Sequence, residues 1–238
     1  MVSFMARSRT HPLVGRSLAD GVALCVLVVA SWHVGRPLLT ADVLIWGDNP
    51  GQFMRLWYPL TVSWPRFRHV VDWNLLWYAG YPELQFYPPG FVLIGLAIHL
   101  IALGQLSPFG VYNVLLFIAL VLPAFSVYAF LRHLLATMGP WPATLAGVVS
   151  GLFTLGFAPQ WGGTNAVPIG LVGERLAFGV VPLVWLAGLL LVERGSPARR
   201  VIAAGLLAIL VLLHPFHAPA AVLLGERVRF RPRVGPRA

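Results

Sequence analysis

Four of the eight acidic residues in this 238-residue sequence, Asp42, Asp48, Asp72 and Glu83, fall within one stretch, residues 36–90. The same stretch holds five of the nine tryptophans, four of the six tyrosines, and Arg55, Arg66 and Arg68. Carboxylates, cations and aromatic rings are therefore concentrated in one place. A carboxylate there can accept a proton from a hydroxyl or hold a divalent cation, and an arginine can bind a lipid phosphate or simply face solvent. Asp48 stands two positions before Pro50, which also suits a helix-capping role. Further along, Glu174 is followed by Arg175. It is either a functional carboxylate, a surface partner of Arg175, or a charge favoured by a helix N-terminus. His214 and His217 flank Pro215 at the end of an apolar run, where they are functional candidates or interfacial residues. No glycine-rich phosphate loop, nucleophile elbow, cysteine-pair zinc site or His-Glu-x-x-His pattern occurs.

The elements that must position these residues are apolar. The chain is 58% hydrophobic and 11% charged, with a mean hydropathy of +0.78, and a water-soluble core cannot absorb so much apolar surface. All 17 basic residues are arginines lying between apolar runs or at the ends, not along one face, which argues against nucleic-acid binding despite the net charge of +9. The single cysteine, Cys25, lies inside an apolar run and can form no internal disulfide.

Six runs approach the length needed to cross a bilayer: Leu18 to Gly35, Gly90 to Leu106, Val111 to Leu131, Pro142 to Ala158, Leu176 to Val192, and Val201 to about Leu224. Gly90 to Leu106 is the weakest, opened by Pro88-Pro89, interrupted by His99 and closed by Gly104-Gln105. Read as a short interfacial or re-entrant helix, it leaves five crossings. Arg132-His133 and the cluster Arg194, Arg199, Arg200 then fall on the cytoplasmic side with residues 1–17, as the positive-inside rule requires. The fold class is therefore an all-α, polytopic transmembrane helical bundle with a long first external loop (36–90), a helical region (91–224) and a basic tail (225–238). The Arg-rich tail would lie outside in this arrangement, against the rule, and reads as either disordered or the product of a frameshift that cuts a longer protein short. No cleavage site follows Ala30, so the first span, 18–35, is expected to be retained.

Within the external loop, Phe53, Leu56, Trp57, Leu60 and Trp64 have helical spacing, predicting an amphipathic helix over Pro50 to Val71 along the membrane. Gly80 to Pro89 contains three prolines and predicts a rigid extended path. The order of motifs is a span, Gly47-Asp48-Asn49-Pro50, an amphipathic segment, Trp73-Asn74, Gly80-Tyr81-Pro82 and Phe86-Tyr87-Pro88-Pro89. Tyr112-Asn113, Leu131-Arg132-His133, Gly173-Glu174-Arg175 and Leu213-His214-Pro215 follow. Over roughly residues 15–220 this resembles bacterial multi-spanning proteins of the GT-C glycosyltransferase class, nearest to the membrane proteins labelled as 6-pyruvoyl-tetrahydropterin synthase-related.

The resemblance implies a bacterial plasma-membrane enzyme that moves a sugar from a polyprenyl-phosphate donor to an acceptor at the outer face. It implies catalytic roles for Asp48, as base or ligand of a divalent metal ion, and for Glu174. It further implies substrate binding by Arg55, Tyr81, Tyr87, His214 and His217. Gln52 departs from the family, in which a histidine often stands four residues after the loop aspartate. Two alternatives are a non-catalytic membrane protein that binds lipid or exports a glycan, and an inactive truncated fragment.

Overall fold

The structure is a computed structural model that describes residues 12–40, 47–76, 80–85, 87–156, 170–193 and 195–229. Within those ranges side chains are described from Ser17 to Leu223. The first eleven residues, most of the loop before Glu174, Arg194 and the end of the basic tail lie outside them. The elements in chain order are α1 (Pro12–Thr40), α2 (Asn49–Tyr58) continued by a π-helical turn (Pro59–Ser63) and α3 (Trp64–Phe67), then the two-residue strands β1 (Trp73–Asn74) and β2 (Tyr81–Pro82). They are followed by α4 (Gly90–Ile101), α5 (Pro108–Leu134), a 3-10 turn (Ala136–Met138), α6 (Pro140–Gly156), α7 (Val172–Glu193), α8 (Pro197–Leu213) and α9 (His217–Arg229).

Among the described residues, three stretches are long and apolar enough to cross a membrane: Ser17–Thr40, Pro108–Leu134 and Val172–Glu193. Their surfaces are arranged for lipid. In α1 the small face Ala19, Ala23 and Leu27 is buried, while Leu18, Val22, Val29 and Trp32 are exposed. In α6, Leu145, Val149 and Phe153 form an exposed apolar stripe at four-residue spacing. Large aliphatic side chains pointing outward would be costly in water and suit a hydrocarbon surround.

Helix α5 is the centre of the bundle. Ser107 starts it, its Oγ accepting from the Gly110 N–H at 3.2 Å, and Pro108 occupies the first turn, where no N–H partner is needed. Small residues let its neighbours approach. A Cβ on Gly151 would lie 2.7 Å from the Ala124 carbonyl oxygen and one on Gly147 3.1 Å from that of Tyr128. This Gly-x-x-x-Gly pair seats α6 directly on the α5 backbone.

The contacts also fix direction. Asp20 near the start of α1 meets Tyr128 and Arg132 near the end of α5, whereas Gly35 meets Phe117 and Leu120; α1 and α5 are antiparallel. The chain from 41 to 107 thus leaves and rejoins the bundle at one end, called here the far end. Helix α4 stays there, with Gly95 under Leu56, Val111 and Leu115 and Gly90 against the backbone of Leu212 and Leu213. The reading of residues 90–106 as a segment that does not traverse the bundle agrees with this placement.

Two expectations change. The last apolar run, Val201 to about Leu224, is not one helix. His214 adopts φ −162° and ψ 98°, Pro215 cannot continue the helical hydrogen bonding, and α9 folds back along α7, where the Trp185 indole donates to the Ala221 carbonyl at 2.9 Å. The stretch after Gly80 is not simply extended either. Tyr81 and Pro82 pair antiparallel with Asn74 and Trp73, and Leu84 turns the chain at φ 60°. A two-residue ladder is too short to leave an alternating pattern in the sequence.

Candidate functional site

Asp48 begins α2 with an exposed side chain that makes no capping hydrogen bond. Its backbone does the local work: Gln52 N–H donates to the Asp48 carbonyl at 2.9 Å, and Pro50 sets the first turn. The next residue, Asn49, is fully buried and accepts the Tyr112 hydroxyl proton through Oδ1 at 2.7 Å, anchoring the turn to α5. On its other side the turn meets Gly170, at φ +93°, where a Cβ would come within 2.7 Å of the Asp48 carbonyl carbon. Asp48 is therefore held between the start of α5 and the approach to α7.

Glu174 lies in the first turn of α7 and acts electrostatically on His217 at the start of α9. The Nδ1 atoms of His217 and His214 are 2.8 Å apart, with the rings nearly perpendicular at 4.5 Å. Burial, then the neighbouring His214, hold the His217 pKa below its ordinary value against the pull of Glu174. The structure thus brings Glu174, His214 and His217 together at the far end, the end that also carries Asp48.

A surface pairing of Glu174 with Arg175, one of the readings the sequence left open, does not suit the burial of Arg175. Arg175 is buried; its Nη2 donates to the Thr154 carbonyl at the end of α6, and its guanidinium lies 5.4 Å from the Phe178 ring. Consecutive helical residues point about 100° apart, so Glu174 and Arg175 face different surroundings. The sequence offered no sign that this arginine turns inward.

Arg55, Tyr81 and Tyr87 also come together. The Arg55 guanidinium lies 3.6 Å from the centre of the Tyr87 ring and hydrogen-bonds the Tyr81 side chain. Burial raises the Tyr81 pKa, and Arg55 counters it. Beneath them is Glu83, which sequence reasoning counted as a loop carboxylate but did not single out. It is wholly buried. Its Oε1 accepts from Asn74 Nδ2 at 2.8 Å, and its Oε2 has no partner among the described residues. Burial pushes its pKa up, with Asn74 and Arg55 pulling the other way. The Tyr58 hydroxyl donates to the Trp73 carbonyl at 3.2 Å and to Asp72 at 3.4 Å, tying α2 to β1. Arg66 and Arg68 remain exposed on the surface of the same segment.

No family model matches the chain, and no curated protein or solved structure resembles it. Among the described residues no group of three or more His, Cys, Asp or Glu is placed to hold a metal ion.

Proposed function

We propose that this chain is a five-crossing membrane glycosyltransferase of the GT-C type that takes its sugar from a polyprenyl-phosphate donor at the outer face of a bacterial plasma membrane. The crossings are α1, α5, α6, α7 and α8. Helices α6 and α8, at 17 residues each, reach about 25 Å and are the shortest that suffice. Arg132, His133, Arg199 and Arg200 sit at the end opposite Asp48, which makes that end cytoplasmic by the positive-inside rule.

The observation that carries the reading is the placement of Asp48: an exposed carboxylate not used as a cap, on a turn braced by Asn49 and Gly170. In the proposed reaction the acceptor hydroxyl gives its proton to Asp48 as its oxygen bonds to the sugar carbon, and the bond from that carbon to the polyprenyl phosphate breaks. Arg55, held flat by Tyr87 and bonded to Tyr81, supplies positive charge for the phosphate. Glu174, His214 and His217 form a second polar group at the same end and bind substrate there.

The test is release of polyprenyl phosphate from a panel of polyprenyl-phosphate sugars by the protein in nanodiscs. Asp48→Asn is expected to slow release by about 100-fold or more; undiminished release removes Asp48 from the mechanism. Cysteines introduced at 48 and 174 in a Cys25→Ser background should react with an impermeant reagent from the same side, and those at 133 and 200 only from the other.

A further inference from the structure

At the end of the bundle opposite Asp48, α7 and α8 separate to leave a groove of about 180 Å³ lined by Leu183, Leu186, Ala187, Leu190, Ile202 and Leu206, with Arg199 at its mouth. Its floor and walls are aliphatic. Ile202 on its rim is 57% exposed, so the groove opens sideways to the surround of the bundle and not to another helix. The polar end is equally defined. Arg199 donates through Nη1 to the Leu190 carbonyl at 2.8 Å, which ties its guanidinium to α7 beside the groove, and Arg200, next in sequence, is exposed. Both arginines stand in the first turn of α8, which carries no acidic residue and where the helix dipole disfavours cations.

An aliphatic slot running into the hydrocarbon from a pair of cations at its surface complements one kind of molecule: an acyl chain joined to a phosphate. We infer that the α7–α8 groove binds an anionic phospholipid from the leaflet at that end, one acyl chain lying between Leu183 and Ile202 and the headgroup phosphate meeting Arg199 and Arg200. The site is separate from the Asp48 end and does not depend on the activity proposed there. A bound chain fills the gap between α7 and α8 and packs against both helices. The lipid therefore stabilises the α7–α8 hairpin.

The experiment uses the full chain in mild detergent and follows thermal unfolding while phosphatidylglycerol is added. Phosphatidylcholine with the same acyl chains and tail-less glycerophosphoglycerol serve as the other arms. Phosphatidylglycerol should raise the melting temperature saturably, phosphatidylcholine should do so much less, and the tail-less headgroup should have no effect. Arg200→Gln should weaken half-saturation roughly fivefold, the share of one interfacial arginine. Ile202→Trp, a change at an exposed position that narrows the groove without touching the core, should abolish saturation. Equal stabilisation by both lipids, equal stabilisation of wild type and Ile202→Trp, or an effect of the headgroup alone would overturn the proposal. Because Arg200→Gln and Ile202→Trp both act at exposed positions, folding of either is checked by its lipid-free melting temperature.

Discussion

Arg132 near the end of α5 donates from Nε to the Asp20 carboxylate of α1 at 2.7 Å, and the same carboxylate accepts from Tyr128 at 2.8 Å and from Thr144 of α6 at 3.3 Å. One acidic group thus joins three helices at the end opposite Asp48. Arg132 is buried and Asp20 one-third exposed, so the pair lies between the weak surface case and the costly buried one. Asp20→Asn should destabilise the bundle by about 2 kcal/mol, because Arg132 is left without its counter-charge. Replacing both, Asp20→Asn with Arg132→Met, should recover part of that loss. Unfolding of wild type, Asp20→Asn, Arg132→Met and the double variant in a graded denaturing detergent gives the comparison, and strict additivity of the two changes would show that the pair is not coupled.

Glu83 supplies a pH dependence of defined sign. Its pKa is raised by burial, so the folded protein holds this proton more tightly than the unfolded chain. Its contribution to stability is fully present below the ordinary carboxyl pKa of 4.5 and is lost as pH rises through the raised value. Glu83→Gln, which keeps the shape and the hydrogen bond from Asn74, should flatten that slope and raise the melting temperature at pH 8 by roughly 2–4 °C. A Glu83→Gln protein that melts lower than wild type at pH 8 would mean that the carboxylate is stabilised by Arg55 more than burial opposes it.

Gly170 is a spacing residue for Asp48. A Cβ there would meet the Asn49 nitrogen at 2.5 Å, and φ is +93°, so Gly170→Ala must displace the start of α2 at a cost of about 1–3 kcal/mol. Gly173→Ala is the control, since its Cβ would meet nothing closer than 3.5 Å. Transfer activity should fall in the first variant and persist in the second. Melting curves separate a displaced turn from general unfolding.

Arg55 and Tyr87 should behave as a coupled pair. Arg55→Lys keeps the charge but loses the flat guanidinium over the ring, and Tyr87→Leu removes the ring. The double-mutant cycle should give a coupling of about 0.5–1 kcal/mol, and each single variant should make the loop around residues 68–85 more sensitive to protease. Unchanged cleavage rates would show that this contact does not hold the loop down.

The sequence was most informative where the physics is local. The apolar runs of α1, α5 and α7 announce themselves because any chain segment in hydrocarbon must satisfy its own backbone. Pro88-Pro89 and Gly104-Gln105 bracket α4, which is only 12 residues long. The amphipathic spacing from Phe53 to Trp64 anticipates α2 through α3 to within a few residues of Phe67, where the helix closes with Arg68 at φ 59°. The last apolar run was read too long because hydropathy continues across His214 while backbone geometry does not.

Pairings distant in sequence were another matter. Nothing in the order of residues places Asp20 against Arg132, turns Arg175 inward to Thr154 or buries Glu83 beneath Arg55. Nor does the sequence place Gly170 on the Asp48 turn. By itself the sequence determined that this is a helical protein with surfaces made for lipid, and which residue types were gathered in its long loop, because composition and periodicity act along a single segment. Only the tertiary structure decided which helix ends share a side and which polar groups meet there, because those contacts arise from packing segments whose apolar faces fit one another in more than one way until all are assembled.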